Sequence, residues 1–272
     1  MGKTYASSDW HGCGVVGLKA LDFLQKDDRL IFLGDAIDRG PNGVELMLKL
    51  LTDPRVTYLK GNHEHFLEEC AEKILNDYGH GAGELWLFGN GGMVTWESLT
   101  KKLTKKQILN LVKQIKALPV QTLYFSEEKN HVVLLEHAGY SPFYINAFRA
   151  DRHDPLWDRD HFMYPWTDEK ANVSPDRAKE INNTYLVHGH TPVQYLKYHY
   201  RYFNTTENPS KPQLTLEDMA EKRAFFNGEK TDIKPKVLQY CDGHKFDIDM
   251  CTIVSDRIAL LDLDTFETVY ID

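Results

Sequence analysis

Residues 30–43 read LIFLGDAIDRGPNG. The first four are apolar and have the length and composition of a strand. The run then breaks at Gly34 and places Asp35, Asp38 and Arg39 within five residues. Gly and Asp after a strand are ordinary turn chemistry, so taken alone the segment reads as a polar loop. The other strand ends decide whether it is more than that.

Four more short runs read as strands: Lys3–Ser7, Val56–Leu59, His131–Leu135 and Thr184–Val187. Helical patterns follow the early ones. Leu18, Leu21 and Leu24 recur on one face, then Val44, Met47, Leu48 and Leu51, then Phe66, Leu67, Cys70, Ala71, Ile74 and Leu75. This alternation predicts βαβ units and a mostly parallel sheet. Positions 101–118 predict one helix stopped by Pro119, and Ser126–Asn130 a hairpin turn. Positions 141–183 read as a long irregular excursion. The polar stretch at 200–240 reads as an insertion or surface subdomain of one domain spanning 1–272. Strands are expected again at Cys251–Val254, Ile258–Leu263 and Thr268–Ile271.

Each of the five early runs stops at side chains that can bind a metal. They lead into Asp9-Trp10-His11-Gly12, Gly34-Asp35 with Asp38-Arg39-Gly40, Gly61-Asn62-His63-Glu64, His137-Ala138-Gly139 and His188-Gly189-His190-Thr191-Pro192. In a parallel sheet the C-terminal strand ends lie along one edge, so these groups would converge on one cleft. Carboxylate, imidazole and amide oxygen together suit Mn, Fe or Zn. Two such ions about 3.5–4 Å apart can clamp both oxygens of an in-line displacement at phosphorus.

SDWHG, GDAIDRG, GNHE, HAG and VHGHTP, in that order over positions 4 to 195, resemble the five signature blocks of the calcineurin-like metallophosphoesterases. The DRG resembles the phosphoprotein phosphatase branch. The resemblance implies an α/β four-layer fold, with a central β-sandwich of two mixed sheets flanked by helices, in place of a single sheet. It implies two divalent cations, Mn(2+) first with Fe or Zn as alternatives. Asp9, His11, Asp35, Asn62, His137 and His190 match the ligands, with Asp35 bridging. His63 matches the general acid and Asp38 the carboxylate that orients it. Arg39, Asn62 and, through the Trp157-Asp158-Arg159 stretch, Arg159 match the groups that bind the substrate phosphate. Glu64 is expected to support the site structurally. HAG, GHTP and Asn90-Gly91-Gly92 resemble the bacterial and phage phosphatases (the lambda phosphatase type), and Pro192 stands where nucleases and phosphodiesterases of the family carry a ligating His. The implied activity is a serine/threonine protein phosphatase that also admits phosphotyrosine, with direct attack of metal-bound hydroxide on a phosphoprotein or phosphopeptide. Symmetric hydrolysis of a dinucleoside polyphosphate such as diadenosine tetraphosphate is the alternative on the same site, and an inactive metal-bound scaffold or binding module the second.

Composition agrees with an ordinary globular chain: 272 residues, 42% apolar and 26% charged. A formal charge of −8 argues against broad nucleic-acid binding, which needs a basic footprint. No apolar run reaches the roughly 18 residues of a membrane span, and no signal segment opens the sequence, so a soluble cytoplasmic protein is expected. Cys13, Cys70, Cys241 and Cys251 form no CxxC and read as reduced thiols. Only Cys251 has an arginine, Arg257, at the spacing of a cysteine phosphatase, and it lies in an expected strand. His188 is read as a core or supporting group, His65 as a cap or surface group, and Lys101, Lys102, Lys105 and Lys106 as a solvated helix face. Tyr195–Phe203 interleaves aromatics and cations and reads as a twisted strand.

Overall fold

Apolar residues alternate along the strands, and that alternation sets the layers. On β1 (Thr4–Ser7) Tyr5 faces one way and Ala6 the other; on β2 (Arg29–Phe32) Leu30 and Phe32 oppose Ile31. A strand that is apolar on both faces has to be covered on both. Tyr5, Leu30 and Phe32 pack into a core built with α1 (Gly14–Phe23), α2 (Gly43–Thr52), α3 (Asn62–Leu75), α4 (Gly92–Lys102) and α5 (Lys105–Lys116). Ala6, Ile31 and Leu33 instead meet Val133, Leu135, Val187 and Phe246 of a second sheet.

The structure, a computed structural model, describes residues 2–76, 81, 83–140, 154–164, 166, 175–199, 215–229, 232 and 234–272. Two five-stranded mixed sheets stack on one another. The first has the order β10-β9-β1-β2-β3, with β3 at Val56–Tyr58, β9 at Ile258–Asp262 and β10 at Thr268–Ile271. The second has the order β4-β5-β6-β8-β7, with β4 at Gln121–Ser126, β5 at His131–Glu136, β6 at Thr184–His188, β7 at Leu238–Tyr240 and β8 at Lys245–Asp247. Three further helices are α6 (Pro175–Asn182), α7 (Val193–Tyr198) and α8 (Leu216–Asn227).

Strand parity is preserved within each sheet where it matters. β1, β2 and β3 are mutually parallel, in register Tyr5↔Leu30 and Leu30↔Val56. β5, β6 and β8 are parallel in the other sheet, in register Val133↔Tyr185 and Leu186↔Lys245. The single parallel sheet read from the alternation is therefore two mixed sheets, as the family resemblance implied. Local periodicity locates strands but says nothing of partners, and β1 finds an antiparallel neighbour in β9, with Tyr5 opposite Asp262.

Other local readings need correction. The helix expected over 101–118 is two, because Thr104 and Gln107 form a capping box in which Gln107 Oε1 accepts from the Thr104 N–H at 2.9 Å. Thr252–Ser255 is a helical turn, α9, rather than a strand; Cys251 enters it at φ 49°, its N–H donating to Asp249 Oδ1 at 2.7 Å. The aromatic stretch begins as helix α7, with Val193 and Leu196 buried three apart and Pro192 ahead of the first turn; Tyr200–Phe203 lie outside the described residues. So do 141–153 of the expected excursion and 200–214 of the expected insertion, where α8 follows and packs on α7 through the Lys197–Asp218 ion pair. β7 and β8 are strands the sequence reading did not find. The expected hairpin at 126–130 is present, the four lysines are exposed, and the four cysteines are thiols rather than disulfides. Among the described residues no helix is long and apolar enough to cross a membrane.

Candidate metal centre

The loops at the parallel strand ends are strained in a common way. Asp9, His11, Asp35, Asp38, Arg39 and His190 all have positive φ, between 39° and 71°. Few non-glycine residues adopt this region, Asp and His more readily than most, and such residues cluster at functional sites. Interlocking backbone bonds hold them there: Asp9 N donates to Gly34 O at 3.0 Å, His11 N to Asp35 O at 2.9 Å, and Gly40 N to His11 O at 2.9 Å. Gly34, at φ 102°, admits no side chain, since a Cβ would lie 2.3 Å from Gly61 N. A Cβ on Gly189 would lie 2.2 Å from Asp9 Oδ2, so the second sheet's loop can close on the first only with glycine there.

Asp35 is the centre of the cluster. Its Oδ2 lies 3.7 Å from His11 Nε2, 3.8 Å from His63 Nε2 and 3.5 Å from His137 Nε2. Asn62 Oδ1 lies 2.8 Å from both His137 Nε2 and His190 Nδ1, and Asp9 Oδ1 3.7 Å from His11 Nε2. Two groups sharing Asp35, His11–Asp35–His63 and Asp35–His137–His190, are each compact enough to hold a cation; in the first, Asp9 Oδ1 beside His11 offers a ligand in place of His63, whose Nδ1 is taken by Asp38. Residues from both sheets meet here, tied by the His190 N–H donating to Asp9 Oδ2 at 2.9 Å and by His137 Nδ1 donating to Leu33 O at 2.8 Å.

The donor set fits divalent cations. Asp9 Oδ1 and His190 Nε2 are buried without a hydrogen-bond partner among the described residues. Burial pushes the Asp35 carboxyl well above the usual range even though His63 opposes the rise, and the carboxylates of Asp9 and Glu64 add to it. Burial likewise drives His11, His137 and His190 below the usual imidazole value, helped at His11 by the Arg39 charge and at His190 by His137. Neutral imidazoles and a crowded carboxylate are disfavoured as bare ions but well suited to a positive charge among them.

Beside this cluster stands a proton-carrying pair. His63 Nδ1 donates to Asp38 Oδ2 at 2.7 Å. Burial opposes the charged ring, yet Asp35 and the Asp38 hydrogen bond together raise His63 above its ordinary value. Arg39 reaches the same spot, donating from Nη1 to His11 Nε2 at 2.8 Å and from Nη2 toward His63 Nε2 at 3.2 Å. Arg159 sits on the rim, its Nε donating to Thr191 Oγ1 at 3.1 Å, next to His190. Trp157 packs edge-on against His190 at 5.8 Å and against Phe66 at 5.2 Å.

Every side chain read from the sequence as a ligand, acid or phosphate contact thus comes to this one place. Glu64 supports it by accepting from the Asp35, Ala36 and Gly61 N–H groups and from Tyr58 Oη–H. His188 is buried and faces Tyr240 Oη at 2.8 Å, away from the cluster, and His65 lies at the surface beside Glu68. The sequence reading overlooked Ser8, which donates to Asp9 Oδ2; Thr95, which accepts from the Asp38 N–H at 2.9 Å; and Trp86, whose Nε1 donates to Asp38 Oδ2 at 2.7 Å. Trp86 stands four residues before the Asn90-Gly91-Gly92 that the reading did notice.

The sequence profile of the family described as calcineurin-like phosphoesterase matches residues 2–216. Serine/threonine-protein phosphatase 2 of Escherichia coli K12 is 42% identical over 74 residues, which is 27% of this chain and 30% of that protein. Its Salmonella typhimurium namesake is 29% identical over 191 residues, 69% of this chain and 78% of the relative. The symmetrical bis(5'-nucleosyl)-tetraphosphatase of Nitrosomonas europaea is 37% identical over 81 residues, 28% of this chain and 30% of that one. A crystallised cold-active protein tyrosine phosphatase shares the fold, with a TM-score of 0.50 at 16% identity, over 99% of this chain and 78% of the other.

Proposed function

Because this chain belongs to the calcineurin-like phosphoesterase family, we propose that it is a dinuclear metal-dependent phosphomonoesterase acting on phosphoserine and phosphothreonine in proteins or peptides. The observation that carries the reading is the shared Asp35 between two ligand groups, with the His63–Asp38 pair and Arg39 in hydrogen-bond contact beside them. The longer match to the Salmonella typhimurium serine/threonine phosphatase, 191 residues against 81 for the tetraphosphatase, favours the protein substrate. We take residues 1–272 as one domain, with the insertion expected at 200–240 ending before β7, whose Tyr240 is buried in the core.

Asp9, His11, Asp35, Asn62, His137 and His190 would hold the cations, manganese first by the mix of carboxylate, imidazole and amide donors. Bound there, two divalent ions supply Lewis acidity toward phosphoryl oxygens and a water acidic enough to ionise near neutral pH. Arg39 is within reach of the same place, and its planar fork suits two oxygens of a phosphoryl group. Arg159 supplies a second positive charge from the connection between β5 and β6. His63, its Nδ1–H held by Asp38 and its protonated form favoured by Asp35 and Asp38, gives the Nε2 proton of that imidazolium to the departing alkoxide and is left neutral; an alkyl phosphate needs this far more than an aryl one does. The strained loops hold these groups in place before substrate arrives, so little reorganisation is left for the reaction.

The test compares a phosphoserine peptide with diadenosine tetraphosphate, using protein loaded with manganese. A kcat/KM higher for the peptide supports the proposal. One higher for the dinucleotide by orders of magnitude moves the same site to symmetric dinucleoside polyphosphate hydrolysis. Release of phosphate from neither, nor from an aryl phosphate, would make the protein a metal-bound scaffold.

A further inference from the structure

We infer that Trp86 is a positioning residue for proton transfer: its indole N–H fixes the plane of the Asp38 carboxylate that receives His63 and thereby holds the imidazole ring with Nε2 toward the reaction. This rests on the reading of His63 as the proton donor given above.

Trp86 lies on a π-helical turn, Leu85–Gly89, and is fully buried. Single π-turns are rare and are frequently found at functional sites. The indole Nε1 and His63 Nδ1 both lie 2.7 Å from the same atom, Asp38 Oδ2. Among the described residues Asp38 Oδ1 has no hydrogen-bond partner, and it is buried. The carboxylate is therefore loaded on one side only. A partial turn about its terminal torsion would carry that oxygen out of line with both donors, and the indole N–H resists the turn.

An indole N–H can only donate. Oδ2 accepts from it and from the His63 Nδ1–H alike, so the ring is held by Nδ1 and Nε2 is left to face the reaction. The indole itself cannot shift. It packs edge-on against Trp96 with centroids 6.1 Å apart, and a Cβ added at Gly92 would lie 2.3 Å from Nε1.

The same short segment holds the backbone of its target. Thr95 Oγ1 accepts from the Asp38 N–H at 2.9 Å, and Gly91 O accepts from the Arg39 N–H at 3.1 Å. One stretch, 86–95, thus grips both residues of the Asp38-Arg39 pair, which sit at φ 71° and 64°. A buried indole must bond something, so simple satisfaction of its N–H is the competing account. Kinetics separate the two.

Trp86→Phe keeps the aromatic body and removes the N–H. In the manganese-loaded protein kcat for a phosphoserine peptide should fall about tenfold, with KM unmoved, while p-nitrophenyl phosphate, whose leaving group needs no proton, loses about twofold or less. Metal content should match the wild type. Placed on a His63→Asn background, the change should have no further effect. Equal losses on both substrates, or full additivity with His63→Asn, would overturn the role of Trp86. If His63→Asn alone fails to discriminate between the substrates, the reading of His63 is what falls. Should Trp86→Phe not fold, 3-benzothienylalanine at position 86, which keeps the bicyclic shape and lacks the N–H, serves instead in the same comparison: a larger loss on the phosphoserine peptide than on p-nitrophenyl phosphate supports the inference and equal losses refute it.

Discussion

Glu64→Gln is an isosteric change whose cost can be worked out atom by atom. The carboxylate is fully buried and accepts four hydrogen bonds. Oε2 takes the N–H groups of Asp35 at 2.7 Å and Gly61 at 3.0 Å; Oε1 takes that of Ala36 at 3.0 Å and the hydroxyl of Tyr58 at 2.9 Å. An amide must turn its NH2 toward one of those pairs. Facing Asp35 and Gly61 it would meet two backbone donors. Facing Ala36 and Tyr58 it meets one, because the phenol can rotate and accept. Glutamine therefore adopts the second orientation and leaves the Ala36 N–H unpaired in the interior, at about 1–3 kcal/mol. The bonds that remain lose their charge assistance, adding about 1 kcal/mol. The sum, about 2–4 kcal/mol, corresponds to a fall in Tm of roughly 5–15 °C for a chain of this size. Since Glu64 clamps the backbone of Asp35 to the turn preceding Asn62, cation affinity should fall as well. Calorimetry of metal-free protein and a manganese titration read the two effects. A Tm within about 2 °C of wild type would refute the fourfold-acceptor account of Glu64.

Asp35→Asn should abolish cation binding and turnover together, read by metal analysis and phosphate release, because both ligand groups include that carboxylate. His63→Asn should retain the cations and slow an alkyl phosphate by about 10²–10⁴; equal loss of metal in the two variants would contradict that division. Lys245 gives a pH prediction. Burial pushes its ammonium down to about 8 from an ordinary 10.5, while its Nζ donates to His161 O at 2.7 Å. The unfolded chain keeps that proton up to about 10.5, so between about 8 and 10.5 the unfolded state binds more protons and stability rises with pH; below 8 the penalty is complete. Urea unfolding of wild type and Lys245→Met should show the difference shifting in favour of wild type by about 3 kcal/mol from pH 7.5 to 10.5. A difference that stays constant would show that Lys245 does not titrate there.

What could be read without the fold is instructive in its limits. β1, β2, β5 and β6 fall where β-type runs end in ligand residues, since a strand's length and its terminating glycine are local matters. The break at Thr104 was legible too, as a Thr-x-x-Gln box that the helical periodicity overrode. β7 and β8 were not legible. They are three residues each, and β8 carries Lys245 and Asp247, buried charged groups that no strand pattern anticipates. Thr252–Ser255 is β-branched yet helical, because Asp249 captures the Cys251 N–H and turns the chain. Trp86 was hidden for a different reason. A tryptophan in an apolar stretch looks like core, and only the folded chain shows its N–H aimed at a carboxylate 48 residues away.

By itself the sequence determined the kinds of atom available: carboxylates, imidazoles and an amide at strand ends, with glycines where backbones must touch. Those are chemical identities and short-range sterics, and both are written residue by residue. Tertiary structure alone decided which of these atoms are neighbours. His137 and His190 come from one sheet, Asp35 and Asn62 from the other, and they meet because the two sheets bury their inner apolar faces against each other. Packing energy summed over that interface sets the distances, and no window along the chain contains it.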